Sequence, residues 1–144
     1  MATAPAKQKP RFVIFAHHAT YDTLHQVATL GLTAAAMGKD VLIVLMFWTI
    51  KKLSDGRLND IDFPAEYAAA GDEVRRLLRE KKVPTITEML HEAKLVGSLK
   101  VIACSAGLEY MGVDQEKVAQ GVDEVMGLPA ILSLTAGAET TLFI

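Results

Sequence analysis

Cysteine occurs once in this 144-residue chain, at Cys104. A single cysteine excludes an intrachain disulfide framework and any CxxC metal or redox pair, and it fits a reducing compartment. Charge of one sign is also lacking. Fifteen Lys and Arg stand against seventeen Asp and Glu, a net charge of −2, so no strong field draws nucleic acid or anionic lipid. Long hydrophobic runs are missing too. The most apolar stretch, VLIVLMFWTI at 41–50, falls far short of the roughly 18 residues that span a bilayer. The opening MATAPAKQKPR has charges and prolines but no apolar segment, so no secretory signal is expected. The glycines at 107, 112, 121, 127 and 137 match neither a P-loop nor a GxGxxG fingerprint. GxSxG, HExxH and DxDxDG patterns are absent, and there is no internal repeat or low-complexity segment. These absences predict a cytoplasmic protein with no nucleic-acid binding, no membrane insertion, no metal and no organic cofactor.

What is present is apolar and alternating. Hydrophobic residues make up 51% of the chain, which suits a parallel sheet covered on both faces or surface hidden in an oligomer. A flexible tail is expected at 1–9, followed by a single domain over 10–144. The run 11–16 reads as a strand. Thr20 can cap a helix with Asp22 in its first turn, and Leu24, Val27, Ala28, Gly31 and Ala35 follow at helical spacing up to a stop at Gly38. A second apolar strand at 40–45 completes a βαβ unit. The spacing then predicts a short helix and loop over 50–58, helices over 64–81 and 85–96, and a third strand over 99–104. Beyond it come a short helix over 106–111, a further turn or two after Asp114, a strand over 121–125, a helix over 129–137 and a last strand over 140–144. Strands alternating with helices define an α/β domain of about five strands.

Cys104 ends the third strand and meets Ser105, Ala106 and Gly107, residues small enough to open a helix. On residues alone two readings stay open. Ligand sites in open α/β sheets lie outside the strand carboxyl ends, and N–H groups at a helix start stabilise a thiolate or a persulfide anion. Free cysteine is equally at home as a small buried hydrophobe.

The segments FVIFAHHATYDTLHQVATLGLTAAAMGKDVLIVLMFW, KVIACSAGLEYMGVDQEKVAQGVDEV and LPAILSLTAGAETTLFI resemble DsrE/DsrF-like proteins. The resemblance runs from about Arg11 to Ile144 and is loosest between Lys51 and Pro84. It implies a three-layer α/β/α domain with a five-stranded parallel sheet in strand order 4-3-2-1-5, and commonly a homo-oligomer. It also implies a persulfide carrier in a sulfur relay, with Cys104 as the sulfur-bearing residue and donor and acceptor proteins as partners. The family includes members without the cysteine, and a lone thiol excludes an intramolecular hand-off. Two alternatives accompany this reading. One is a one-cysteine peroxidase or redox sensor, although a Pro-Thr-Cys loop is absent. The other is a non-catalytic oligomer that binds a ligand or partner.

Further candidates surround the strand ends. His17, His18, Asp22 and His25 are the densest group of ligand-type side chains, and a loop role for the histidines is favoured over a metal site. In the expected strand order Met46, Phe47 and Trp48 lie between the histidines and Cys104, and they are expected to wall the cysteine pocket. Ser105, Gly107 and Tyr110 are further pocket candidates, with Gly107 allowing another molecule to come close. The switch point between the first and fifth strands makes the loop from His17 to Tyr21 the natural contact for a small ligand. Arg75, Arg76, Arg79, Lys81 and Lys82 form a basic run interleaved with Asp72, Glu73 and Glu80, which reads as a solvated helix face.

Overall fold

The structure, a computed structural model, describes residues 8–144. The expected tail falls largely on residues 1–7, outside the described residues. Gln8 to Pro10 are exposed and belong to no helix or strand. Strand β1 (Arg11–Ala16), helix α1 (Tyr21–Ala36) and strand β2 (Asp40–Leu45) form the expected βαβ unit. Next come α2 (Trp48–Ser54), a 3₁₀ helix (Ala65–Ala70), α3 (Gly71–Glu80) and α4 (Ile86–Val96). Strand β3 (Ser98–Cys104) leads into α5 (Ser105–Tyr110) and α6 (Gln115–Ala119). The chain closes with β4 (Glu124–Met126), α7 (Leu128–Thr135) and β5 (Thr140–Phe143).

The five strands form one sheet in the order β4-β3-β2-β1-β5, every pair parallel. This is the architecture expected from the resemblance. Because alternate side chains of a strand point to opposite faces, the three central strands bury two separate sets of residues. Ile14, Ala16, Val41, Ile43, Leu45, Leu99, Val101 and Ala103 pack with residues of α1, α4, α2, α5 and α6. Val13, Phe15, Leu42, Val44, Ile102 and Cys104 face the other way and pack against Ile131 of α7. One face thus carries five helices and the other a single eight-residue helix. On that thinner side Leu128, Leu132 and Phe143 remain exposed.

Local chemistry moved several boundaries. The predicted helix over 64–81 is divided, because Ala65–Ala70 buries no residue that would hold an α-helical face against the core. Its Tyr67 N–H instead closes a three-residue turn on the Pro64 carbonyl. The Thr20 hydroxyl accepts no helix N–H. That work falls to Asp62, whose carboxylate and carbonyl both receive the Tyr21 N–H, at 3.0 and 2.9 Å. Thr85 and Glu88 form a reciprocal capping box at the start of α4. The fourth strand is only three residues long and sits later than expected, because the Asp123 N–H and carboxylate are already tied to the Val101 backbone.

Two positions make testable demands. A Cβ on Gly97 would lie 2.4 Å from the Ala35 carbonyl oxygen, where the ends of α1 and α4 cross. Gly97→Ala is expected to cost about 1–3 kcal/mol in denaturant unfolding. Burial alone would raise the Asp123 carboxyl, but hydrogen bonds from Lys94 and the Val101 N–H outweigh it and the pKa is lowered. A lowered carboxyl contributes stability above its unfolded value of about 3.9, and that contribution is lost as pH falls through the folded value. The stability gap between wild type and Asp123→Asn is therefore expected to be full at neutral pH and to close on acidification below about pH 4.

Candidate functional site

Cys104 is the last residue of β3 and the N-cap residue of α5. Strand alternation turns it to the α7 side, where it is 2% exposed within an apolar cluster containing Val44, Ile102 and Ile131. Met46, Ala106 and Met126 pack on the same cluster, and Met126 is its pairing partner on β4. Its neighbour Ser105 is exposed, so the thiol lies just beneath the surface at the carboxyl edge of the sheet. Gly107 is buried. A Cβ there would lie 2.7 Å from Ile50 Cδ1 and 3.5 Å from the Phe47 nitrogen. The close approach that glycine permits is therefore made by the chain's own β2–α2 turn, not by a visiting molecule. Tyr110 is 73% exposed at the far end of α5.

The β2–α2 turn is the most constrained backbone at this edge. Phe47 has φ 53° and ψ −113°, a conformation that costs a non-glycine residue about 1–3 kcal/mol. Thr49, fully buried, holds the turn. Its hydroxyl accepts from the Met46 N–H at 3.0 Å and lies 2.9 Å from the carbonyls of both Ala16 and Met46, either of which can take its proton. Met46 N–H also donates to the Ala16 carbonyl at 2.9 Å. The turn is thus locked to the end of β1, and it projects Phe47 and Trp48 outward, 46% and 57% exposed.

Beside them, the backbone N–H groups of His17 and His18 donate to the Ile144 carbonyl at 2.8 and 3.5 Å, with ring centroids 4.2 Å apart. These histidines with Met46, Phe47 and Trp48 line a cavity of about 310 Å³. A larger cavity, about 620 Å³, lies between the start of α1, α2 and the loop that follows it. His18 and Trp48 line both. Trp48 thus faces the histidine side and not Cys104, because the Phe47 turn carries it there. Neither cavity is lined by Cys104, Ser105, Gly107 or Tyr110.

The remaining predicted residues have structural places. Tyr21 is buried with Leu24, Ile86 and Met89, burial pushes its phenol pKa up, and its ring meets Phe63 edge-on. His25 Nδ1 is 3.3 Å from the Thr29 hydroxyl. Among the described residues, no group of three or more His, Cys, Asp or Glu side chains is arranged to hold a metal ion. Sequence reasoning missed Thr49, Lys52 and Asp62. Lys52 is buried in the floor of the larger cavity and donates to the Ala19 carbonyl at 2.7 Å, the Asp60 carbonyl at 3.3 Å and Asp62 Oδ1 at 2.6 Å. In the sequence Lys52 is the second of two adjacent lysines in α2, four residues after Trp48, and nothing local marks it as the buried one.

A parallel five-stranded α/β sheet with a cysteine ending its third strand defines the class. The DsrE/DsrF/DrsH-like family matches residues 64–143, more than half the chain. The chain belongs to that family. The match includes Cys104 and stops short of the histidines and Trp48. Among solved structures, the chain is similar to BT1422, a conserved protein of unknown function from Bacteroides thetaiotaomicron. The two share 19% identity over 94% of this chain and 95% of that one, with a TM-score of 0.58. It is also similar to MTH1491, a protein of unknown function from Methanobacterium thermoautotrophicum. Here identity is 16% over 94% of this chain and all of that one, with a TM-score of 0.56. At these identities the likeness is one of fold. No curated protein matches the chain.

Thr49→Val keeps the volume and removes the hydroxyl that holds the Phe47 turn. It is expected to cost about 1–3 kcal/mol in denaturant unfolding and to shift the emission of Trp48, the chain's single tryptophan. Unchanged emission would show that the turn does not need the hydroxyl.

Proposed function

We propose that the chain is a sulfur carrier of the DsrE type, with Cys104 as the residue that bears the persulfide. The observation that carries this reading is the place of Cys104. It ends an internal strand at the carboxyl edge of the sheet, immediately before a helix, within the segment that matches the family. The chemistry is thiol exchange. The Cys104 thiol gives its proton to solvent and the thiolate attacks the outer sulfur of a donor persulfide. A sulfur–sulfur bond forms on Cys104 as the donor's bond breaks, and the donor leaves as a thiolate. An acceptor thiolate then attacks the outer sulfur and Cys104 departs as the leaving group. Each transfer conserves electrons and needs no cofactor.

Because Cys104 is 2% exposed, transfer requires the thin cover of Met126, Ala106 and α7 to yield. Donor and acceptor thiols belong to partner proteins in a cytoplasmic setting. Burial of Leu128, Leu132 and Phe143 against a second copy accounts for the apolar surface left on the α7 side. The same burial of Cys104 favours a second reading, a ligand- or partner-binding protein in which the cysteine is a core residue.

Intact-protein mass after brief exposure to a persulfide donor separates these readings. The expected result is one added sulfur on wild type, none on Cys104→Ser, and reversal by a small thiol. Faster oxidation by peroxide than sulfur uptake would favour a thiol peroxidase or redox sensor. No mass gain, with Cys104 silent to alkylation in the native protein and reactive after denaturation, would overturn both thiol mechanisms.

A further inference from the structure

The two cavities that meet at His18 and Trp48 form one groove at the carboxyl ends of β1 and β2. It lies beside the β1–β5 switch point, where ligands bind open α/β sheets. Three observations describe what would fill it. The smaller lobe has no carboxylate, lysine or arginine in its wall and offers the Phe47 ring, the Trp48 indole and the two imidazoles. Its aromatic wall stands on the strained turn at Phe47, and strain held in place by surrounding bonds is found at ligand clamps. A glycine at 47 would relieve the strain, but it would also remove the ring.

The third observation is charge. Every cation in the wall of the larger lobe is already occupied by a carboxylate. Lys51 is paired with Asp55, Lys52 with Asp62, and Arg57 with Asp60. Asp22 and Glu66 line the same lobe and take part in no ion pair among the described residues. The groove therefore joins an aromatic end without carboxylate, lysine or arginine to an end with two carboxylates in no ion pair. The exposed indole between them can hold a cation against its face as well as a flat apolar body.

We propose that this groove binds a small organic cation, an amine carried on an aromatic body, at a site separate from Cys104. The ring occupies the lobe bounded by Phe47 and Trp48, and the ammonium points to Asp22 and Glu66. Separate placement makes the proposal independent of sulfur transfer. Cys104→Ser is expected to bind the ligand as wild type does.

Phenethylamine is a suitable probe, with 3-phenylpropionate as the equally sized anion. Binding to the full chain is read by calorimetry and by Trp48 emission. Phenethylamine is expected to shift the emission and saturate, with binding that weakens as salt rises. The exposed double variant Asp22→Asn/Glu66→Gln is expected to lose about tenfold in affinity, and Trp48→Ala to lose comparably by calorimetry, with circular dichroism unchanged in both. Equal binding of 3-phenylpropionate, unaltered affinity in the Asn/Gln variant, or no saturable phenethylamine binding to wild type would overturn the proposal.

Discussion

Strand β1 has no free edge, and the remainder of the molecule is arranged around that constraint. It pairs along its length with β2 and nearly so with β5, so its backbone groups are bonded on both sides. Its ends are clipped as well. At the amino end Arg11 donates to Asp40 Oδ2 at 3.0 and 2.9 Å, while the Ser98 hydroxyl donates to Asp40 Oδ1 at 2.7 Å. Three successive strands in the sheet are thereby aligned by one carboxylate. At the carboxyl end the Ile144 N–H reaches the Phe15 carbonyl, and Thr49 and Met46 reach that of Ala16. An unbonded buried peptide group costs free energy comparable to a lost hydrogen bond, so register is fixed from both ends and the loops above are built on a rigid base.

That base separates two kinds of chemistry. Even-numbered positions of β3 point to the α7 side and carry Cys104 into an apolar layer, while the β1 and β2 extensions carry histidines and aromatic rings into open grooves. The Phe47 turn stands between them. Its backbone touches the Gly107 region of α5 and its side chain lines the histidine cavity. The barrier between thiol and groove is therefore the chain's own packing, made close by the lack of a side chain at Gly107.

The regular parts of this arrangement were legible in the sequence because their causes are local. Continuous apolar runs gave β1 and β2 to the residue, and helical spacing identified the buried stripe of α1. The strand order came from the resemblance, since no local pattern encodes which strands become neighbours. Contacts across long separations escaped detection. Asp62 caps α1 from 41 residues away, and Lys52 is buried because a later loop folds back over it. The direction of Trp48 depended on one backbone angle at Phe47, a position where composition signals nothing. Cys104 was correctly placed at a strand end, but its burial follows from α7 crossing the face of the sheet.

The single helix over that face also imposes an order on biosynthesis. The helices that cover the five-helix side all lie before Gln120, whereas α7 follows at Leu128–Thr135. Synthesis from the amino end therefore makes the helices of one layer before the helix of the other, and until α7 forms, Val13, Val44 and Cys104 are uncovered. During that interval the cysteine that the finished fold shelters is open to solvent, to oxidants and to any chaperone that attends the chain.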